Sequence, residues 1–288
     1  LVYIKLGTDF GHSMSIFTNA CRPTSAGFSR AVCWLLFSVL LALNAQAANA
    51  EDLDRARYVS SAQTYVNADE TVRSLVGIDA THPRYAAFVK GFEDMFSNDI
   101  LMSAMYDALK EADLLKESTP KLVRNFIREW IVSIGRKGVQ RLETDDQAFL
   151  LAARLAFFES MPTEQCGRQL KSEQIDGKQF YTWLATVRTD KVVSEFLRIT
   201  TEGVVREVTK LGSSEQATEK QVEVAAELVG RNIAQRYGES KAKLVFRSIE
   251  DPKSVADYDY CIAARLIWRE TLSLKGSARR WMIRGIFM

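Results

Sequence analysis

Histidine occurs only twice in 288 residues, and cysteine only four times. That scarcity removes most metal and nucleophile chemistry at once. A Cys/His structural zinc site needs four such ligands, and no H-E-x-x-H is present to supply a catalytic one. There is likewise no G-x-S-x-G elbow, no phosphate loop and no dinucleotide fingerprint. No metal site and no cofactor are expected. Any histidine-dependent acyl transfer would have to use His82, whose T-H-P-R setting is explained by a helix entrance, and His12 carries no functional reading. Long apolar runs are also missing: the one from Ala31 to Leu43 falls short of the roughly 20 residues that span a bilayer.

That short run is itself informative. Arg22 and Arg30 precede it, and the small-residue patterns Ala45-Gln46-Ala47 and Ala48-Asn49-Ala50 follow, within the stretch LLFSVLLALNAQAANA at 35–50. A basic segment, a short apolar core and an A-x-A site describe a cleavable secretory signal. Residues 1–47 are therefore expected to be a signal peptide, with the mature chain beginning at Ala48 or Glu51 and working in the bacterial periplasm. Met14 is the more ordinary start, which makes 1–13 an expected mis-annotated extension. A lipid anchor needs its cysteine directly after the apolar run, whereas Cys33 lies near its beginning. Lipidation is not expected.

Charge of one sign is lacking too. Removing residues 1–47 takes Lys5, Arg22 and Arg30 from the 38 basic residues and Asp9 from the 36 acidic ones, leaving 35 of each. A neutral domain gives no reason to expect nucleic acid as a partner. Of the cysteines, Cys166 and Cys261 remain in residues 48–288. An even pair in an oxidising compartment predicts a disulfide, one that limits the unfolded chain across about 95 residues.

What is present is helix after helix. The chain predicts an all-α, irregular multi-helix bundle, starting with a loosely attached helix over Asp52 to Val66. Thr81-His82-Pro83 marks a helix entrance, and Asn98 or Asp99 caps the periodic run Ile100 to Leu115. Thr119-Pro120 opens a helix bearing Phe126, Trp130 and Ile134, with Gly135 and Gly138 near its end. Thr144 and Gln147 have capping-box spacing before Ala148 to Ser160, a segment apolar almost all round and therefore central; Pro162 then stops or restarts the chain. Phe180, Leu184 and Val187 share a helical face, and Val192 to Leu211, Glu215 to Tyr237 and Ala256 to Leu274 are further helices. Lys241 to Ile249 reads as either a short strand or a helix, broken at Asp251-Pro252.

Two similar halves are a second organisation the sequence suggests. AARLAFFES at 152–160 echoes AARLIWRET at 263–271, which would divide the domain into 70–175 and 180–285. The echo sets Arg154 beside Arg265 and Glu159 beside Glu270. Within so apolar a segment, Arg154 is expected to meet a carboxylate or to emerge at the helix edge.

The candidate binding residues lie at the C-terminus. From Ile262 to Met288 there are six basic residues, Arg265, Arg269, Lys275, Arg279, Arg280 and Arg284, against the single acid Glu270. Trp268, Trp281, Ile283, Ile286 and Phe287 are interleaved with them. Such a segment can grip an acidic groove on a partner protein or rest peripherally on an anionic membrane. Alternatively, its aromatics pack inward and its arginines face water, and Gly276 and Gly285 interrupt a long surface helix.

Carboxylates offer the competing, catalytic reading. Glu159-Ser160, ending an apolar helix, resembles the catalytic opening of lytic transglycosylases. The resemblance covers two residues, and MPTEQCGRQL stands where that family has a glycine-rich continuation. It implies glycan cleavage with a glutamate as general acid, using Glu159 or Glu270. Asp145-Asp146 reads as first-turn helix charge, and Asp257 and Asp259 read the same way. The preferred expectation is an exported protein-binding protein, of the inhibitor or immunity type. An envelope glycan hydrolase and a membrane-surface scaffold component are the alternatives.

Overall fold

Local periodicity translates into helices throughout. The computed structural model describes residues 54–59, 68–115, 120–172, 177–212 and 216–287. The expected signal segment lies outside these residues, as does the expected first helix except for 54–59. Among the described residues there are thirteen α-helices and no strand. They are α1 (54–59), α2 (Ala68–Thr71, continuing into a π turn at Val72–Val76), α3 (Tyr85–Phe96), α4 (Asp99–Glu111) and α5 (Pro120–Val139). Next come α6 (Thr144–Glu159), α7 (Thr163–Lys171), α8 (Gly177–Val187) and α9 (Asp190–Thr209). The chain closes with α10 (Glu219–Tyr237), α11 (Glu239–Glu250), α12 (Asp257–Ser273) and α13 (Gly276–Ile286).

Several boundaries differ from the sequence reading for identifiable reasons. Asn98 does cap α4, its side chain accepting from the Leu101 N–H at 3.0 Å. The entrance at Thr81-His82-Pro83 is instead a turn, in which Asp79 accepts from the N–H and hydroxyl of Thr81 and His82 Nδ1 accepts from the Arg84 N–H; α3 begins only at Tyr85. Thr144 is the first residue of α6 rather than its cap, and Gln147 is fully buried, donating to the Val139 carbonyl at 2.8 Å. Segment 241–249 is helix, within α11. A true capping box occurs at Thr218 and Gln221, opening α10.

As expected, Gly138 stands at the end of α5, one residue before its last, Val139. It lets α5 and α9 meet backbone to backbone, since a Cβ there would lie 2.0 Å from the Gly203 carbonyl oxygen. Beside that contact Arg141 and Lys210 both bind Glu207; burial works against the charge, but the two cations outweigh it and hold the Glu207 carboxyl below its usual range.

The buried side chains form three clusters. The largest joins Phe88, Phe157, Phe158, Leu184 and Leu197 with Cys166, Cys261 and Trp268, so α6 sits in the core as its composition demands. A second lies between α10, α11, α12 and α13, around Val229, Ile233, Val245 and Leu266. The third is small: Met102, Met105 and Leu109 of α4, covered by Tyr58 and Val59 of α1 and by Phe126, Ile127 and Trp130 of α5. Cys166 and Cys261 form the expected disulfide, with Cα atoms 5.6 Å apart, tying α7 to α12. Around it, a Cβ on Gly167 would meet the Asp257 carbonyl oxygen at 1.8 Å, and Lys171 pairs with Asp257 at 2.9 Å.

Candidate functional site

The C-terminal residues nominated by sequence are divided among several jobs. Arg265 reaches from α12 to the end of α6, where its Nη2 donates to the carbonyls of Phe158 and Met161. Those oxygens belong to or follow the last turn of a helix, which lacks intrahelical donors and favours a cation. Burial holds the Arg265 guanidinium below its ordinary value. Trp268 is 7% exposed and packs on Phe158, with ring centroids 5.6 Å apart. It belongs to the core rather than to a surface patch.

Of the two expectations for Arg154, a carboxylate partner or emergence at the helix edge, the half-buried side chain fits the second. Its guanidinium lies over the Trp268 ring at 5.1 Å and the Phe158 ring at 6.0 Å, and burial, aided by the charge of Arg136, lowers its pKa. The negative faces of two aromatic rings receive its charge there.

The two candidate acids are brought into one chain of contacts. Glu159 pairs with Arg269 at 2.5 Å, and that bond together with one to Tyr237 holds the Arg269 guanidinium above its ordinary value. Tyr237 also donates to Glu270 at 3.3 Å, and Glu270 accepts from Arg236 at 3.1 Å and from Ser273 at 3.2 Å. Glu270 is wholly buried. Each acid is therefore the partner in an arginine ion pair, an arrangement that fastens α6, α10 and α12.

On α13 the picture is mixed. Arg279 pairs with Asp145 of α6 at 2.9 Å, and both line a shallow cavity of about 460 Å³ with Arg280, Gly276 and Ser277. Arg280 is exposed, while Arg284, Trp281 and Phe287 are half-buried. Trp281 packs against the second cluster, Phe287 against the first, and the Phe287 carbonyl accepts from Gln140 at 2.9 Å.

A larger groove, about 510 Å³, opens where α6 ends and α7 and α8 meet. Phe157 and Trp183 form its apolar part, their rings edge to face at 5.5 Å, and Arg188 covers Trp183 at 4.9 Å. Ser160, Thr182 and Thr186 line it too, and each hydroxyl donates inward, to the carbonyls of Phe157, Val76 and Trp183. Because a hydroxyl that donates keeps its lone pairs, the three present acceptors to the groove. Gln165 and Gln179 add amides, and Lys178 is its one ionisable side chain. The lining contains no Asp, Glu, His or Cys.

Sequence reasoning missed this groove. Its signal was the polar row Gln179, Thr182 and Thr186 on α8, beside the apolar row of Phe180 and Leu184, but most surface helices carry such a row. Among the described residues no group of three or more His, Cys, Asp or Glu side chains is placed to hold a metal ion, and no helix is long and apolar enough to cross a membrane. The fold defines an all-α protein with a disulfide-tied core. The chain matches no family model, no curated protein and no solved structure.

Proposed function

We propose that the chain is an exported binding protein of the bacterial envelope, an inhibitor of the immunity type, that grips a protein partner in the groove between α6, α7 and α8. The observation that carries this reading is the groove's lining: acceptor hydroxyls and neutral amides around Phe157 and Trp183, without an acid, histidine or thiol. Such a surface, with Lys178 as its one charged side chain, offers acceptors to the N–H groups that a partner's backbone supplies and amide donors to its carbonyls. Burial of the Cys166–Cys261 disulfide supports an oxidising compartment. The arginine-paired state of Glu159 and Glu270 weighs against glycan hydrolysis, and the burial of Trp268 weighs against a membrane-resting C-terminus.

A photocrosslinking side chain at Gln165, compared with one at exposed Lys220 of α10, tests the proposal in periplasmic extract of the native host. One stoichiometric protein adduct formed from position 165 and not from 220 is the expected result. Adducts that are identical from both positions, or none from 165, would sink it.

A further inference from the structure

One wall of the α6–α7–α8 groove carries information about the shape of what enters it. Lys178, Thr182 and Thr186 line the groove and stand four residues apart along α8, so they form a single row on one face of that helix. All three are exposed. The first two side chains pass together over Gly77, where an added Cβ would lie 3.6 Å from Lys178 Cε and 3.9 Å from Thr182 Oγ1. Both threonine hydroxyls are already spent as donors. Thr182 Oγ1 donates to the Val76 carbonyl at 2.8 Å and Thr186 Oγ1 to the Trp183 carbonyl at 2.9 Å, so what they hold out is lone pairs. The Thr182 bond reaches the end of the π turn, and the fold rather than its own helix sets the direction of that hydroxyl.

A row of acceptors selects among backbone conformations. Beyond its first turn, an α-helix has used each N–H on the carbonyl four residues back, and it has none to give along its side. An extended strand does. Its N–H groups reach one edge at every second residue, a repeat of about 6.6 Å. Thr182 and Thr186 are separated by about 6 Å along α8, within the swing of a side chain of that repeat. Lys178 stands one more such step back on the same row, and no acid in the lining neutralises it.

We infer that the groove takes an extended, acidic segment of the partner, laid along α8 with two alternate backbone N–H groups on Thr182 and Thr186 and a carboxylate side chain at Lys178. Main-chain bonds then supply affinity, and the charged end fixes the direction of the strand, the division of labour by which extended peptides are recognised on sheet edges. The inference rests on the reading of this groove as the partner's seat and adds the partner's conformation and charge.

The test uses the full chain and a phage library of random linear eight-residue peptides, the selected sequence then being made synthetically with one backbone nitrogen methylated at a time. Binding is expected to fall at least about ten-fold at two positions two residues apart and to change less than about two-fold at the residue between them. Thr182→Val with Thr186→Val should weaken the unmethylated peptide at least about ten-fold, whereas Thr182→Ser with Thr186→Ser, which keeps both hydroxyls, should leave it within about three-fold. Replacing the peptide's acid by its amide should matter on the unaltered chain and not on Lys178→Gln. If the valine chain loses its helical circular dichroism, Thr186→Val alone decides, because that hydroxyl bonds only within its own helix. No selected peptide, equal binding to the valine chain, methylation effects without alternation, or a bound peptide that is helical by NMR overturns the inference. The photocrosslinker at Gln165 tells the two failures apart. A partner adduct that persists undiminished in the valine chain removes the strand and leaves the groove as the seat, while the absence of any adduct removes both.

Discussion

Two helices of this molecule, α7 on α12 and α1 on α4, are fastened by different means among the described residues. α7 is held to α12 by the Cys166–Cys261 bond, by a backbone approach that only Gly167 permits, and by the Lys171–Asp257 pair. Among the described residues, α1 meets α4 through Tyr58 on Tyr106, through Arg55 over the same ring and paired with Asp107, and through Val59 against the third cluster. At nine residues α7 does not have the length to stand alone, so it takes its stability from its ties. Where the ties are covalent and close-packed the surface is a fixed scaffold, and the neighbouring groove keeps its shape.

The comparison is most strongly challenged at Gly167. Gly167→Val should cost more than about 4 kcal/mol or prevent folding, because its Cβ would collide with the Asp257 carbonyl; urea unfolding gives the value. Loss of the disulfide in a Cys166→Ala, Cys261→Ala chain is expected to cost about 2–5 kcal/mol, and a reductant should lower the stability of the unaltered protein similarly. A cost near zero would mean that close packing alone holds α7.

Smaller effects sharpen the contrast. Glu270→Gln should lose about 1–3 kcal/mol, since a buried acceptor with three hydrogen-bond partners is replaced by an amide. The main core also predicts a pH limit: burial of the Tyr181 hydroxyl pushes its pKa up to about 12, from the ordinary value near 10. The unfolded chain then loses this proton first, so this contribution is complete below pH 10 and falls as pH rises toward 12, which tyrosinate absorbance and unfolding together will show. At the weak end, Arg55→Ala should change global stability by under about 1 kcal/mol in the same unfolding assay.

Local signals were the readable part of the fold. Asn98 caps α4 because its side chain needs only the N–H three residues on, and the apolar composition of Ala148 to Ser160 already placed α6 against the core, where Leu151, Leu155, Phe157 and Phe158 are buried. The misread positions share a cause. Gln147 has the spacing of a capping box, yet its amide serves a carbonyl eight residues back, and Gly138, correctly placed at a helix end, also permits a backbone crossing with a residue far along the chain that its neighbourhood does not announce. The candidate site was less legible still. Arg265 caps a helix 107 residues away, Arg154 meets aromatic rings rather than a carboxylate, and the α6–α7–α8 groove is made of ordinary polar residues.

By itself the sequence determined the helical class and the cysteine pairing, because helical period acts over one or two turns and only two cysteines lie beyond residue 47. It also set the expectation of export, from residues 31–50. Tertiary structure alone decided which charges are spent on helix ends, which aromatics are core, and which surfaces stay open. Those outcomes depend on helices distant in sequence meeting at particular angles, and a side chain's partner across such a contact has no signature in its own neighbourhood.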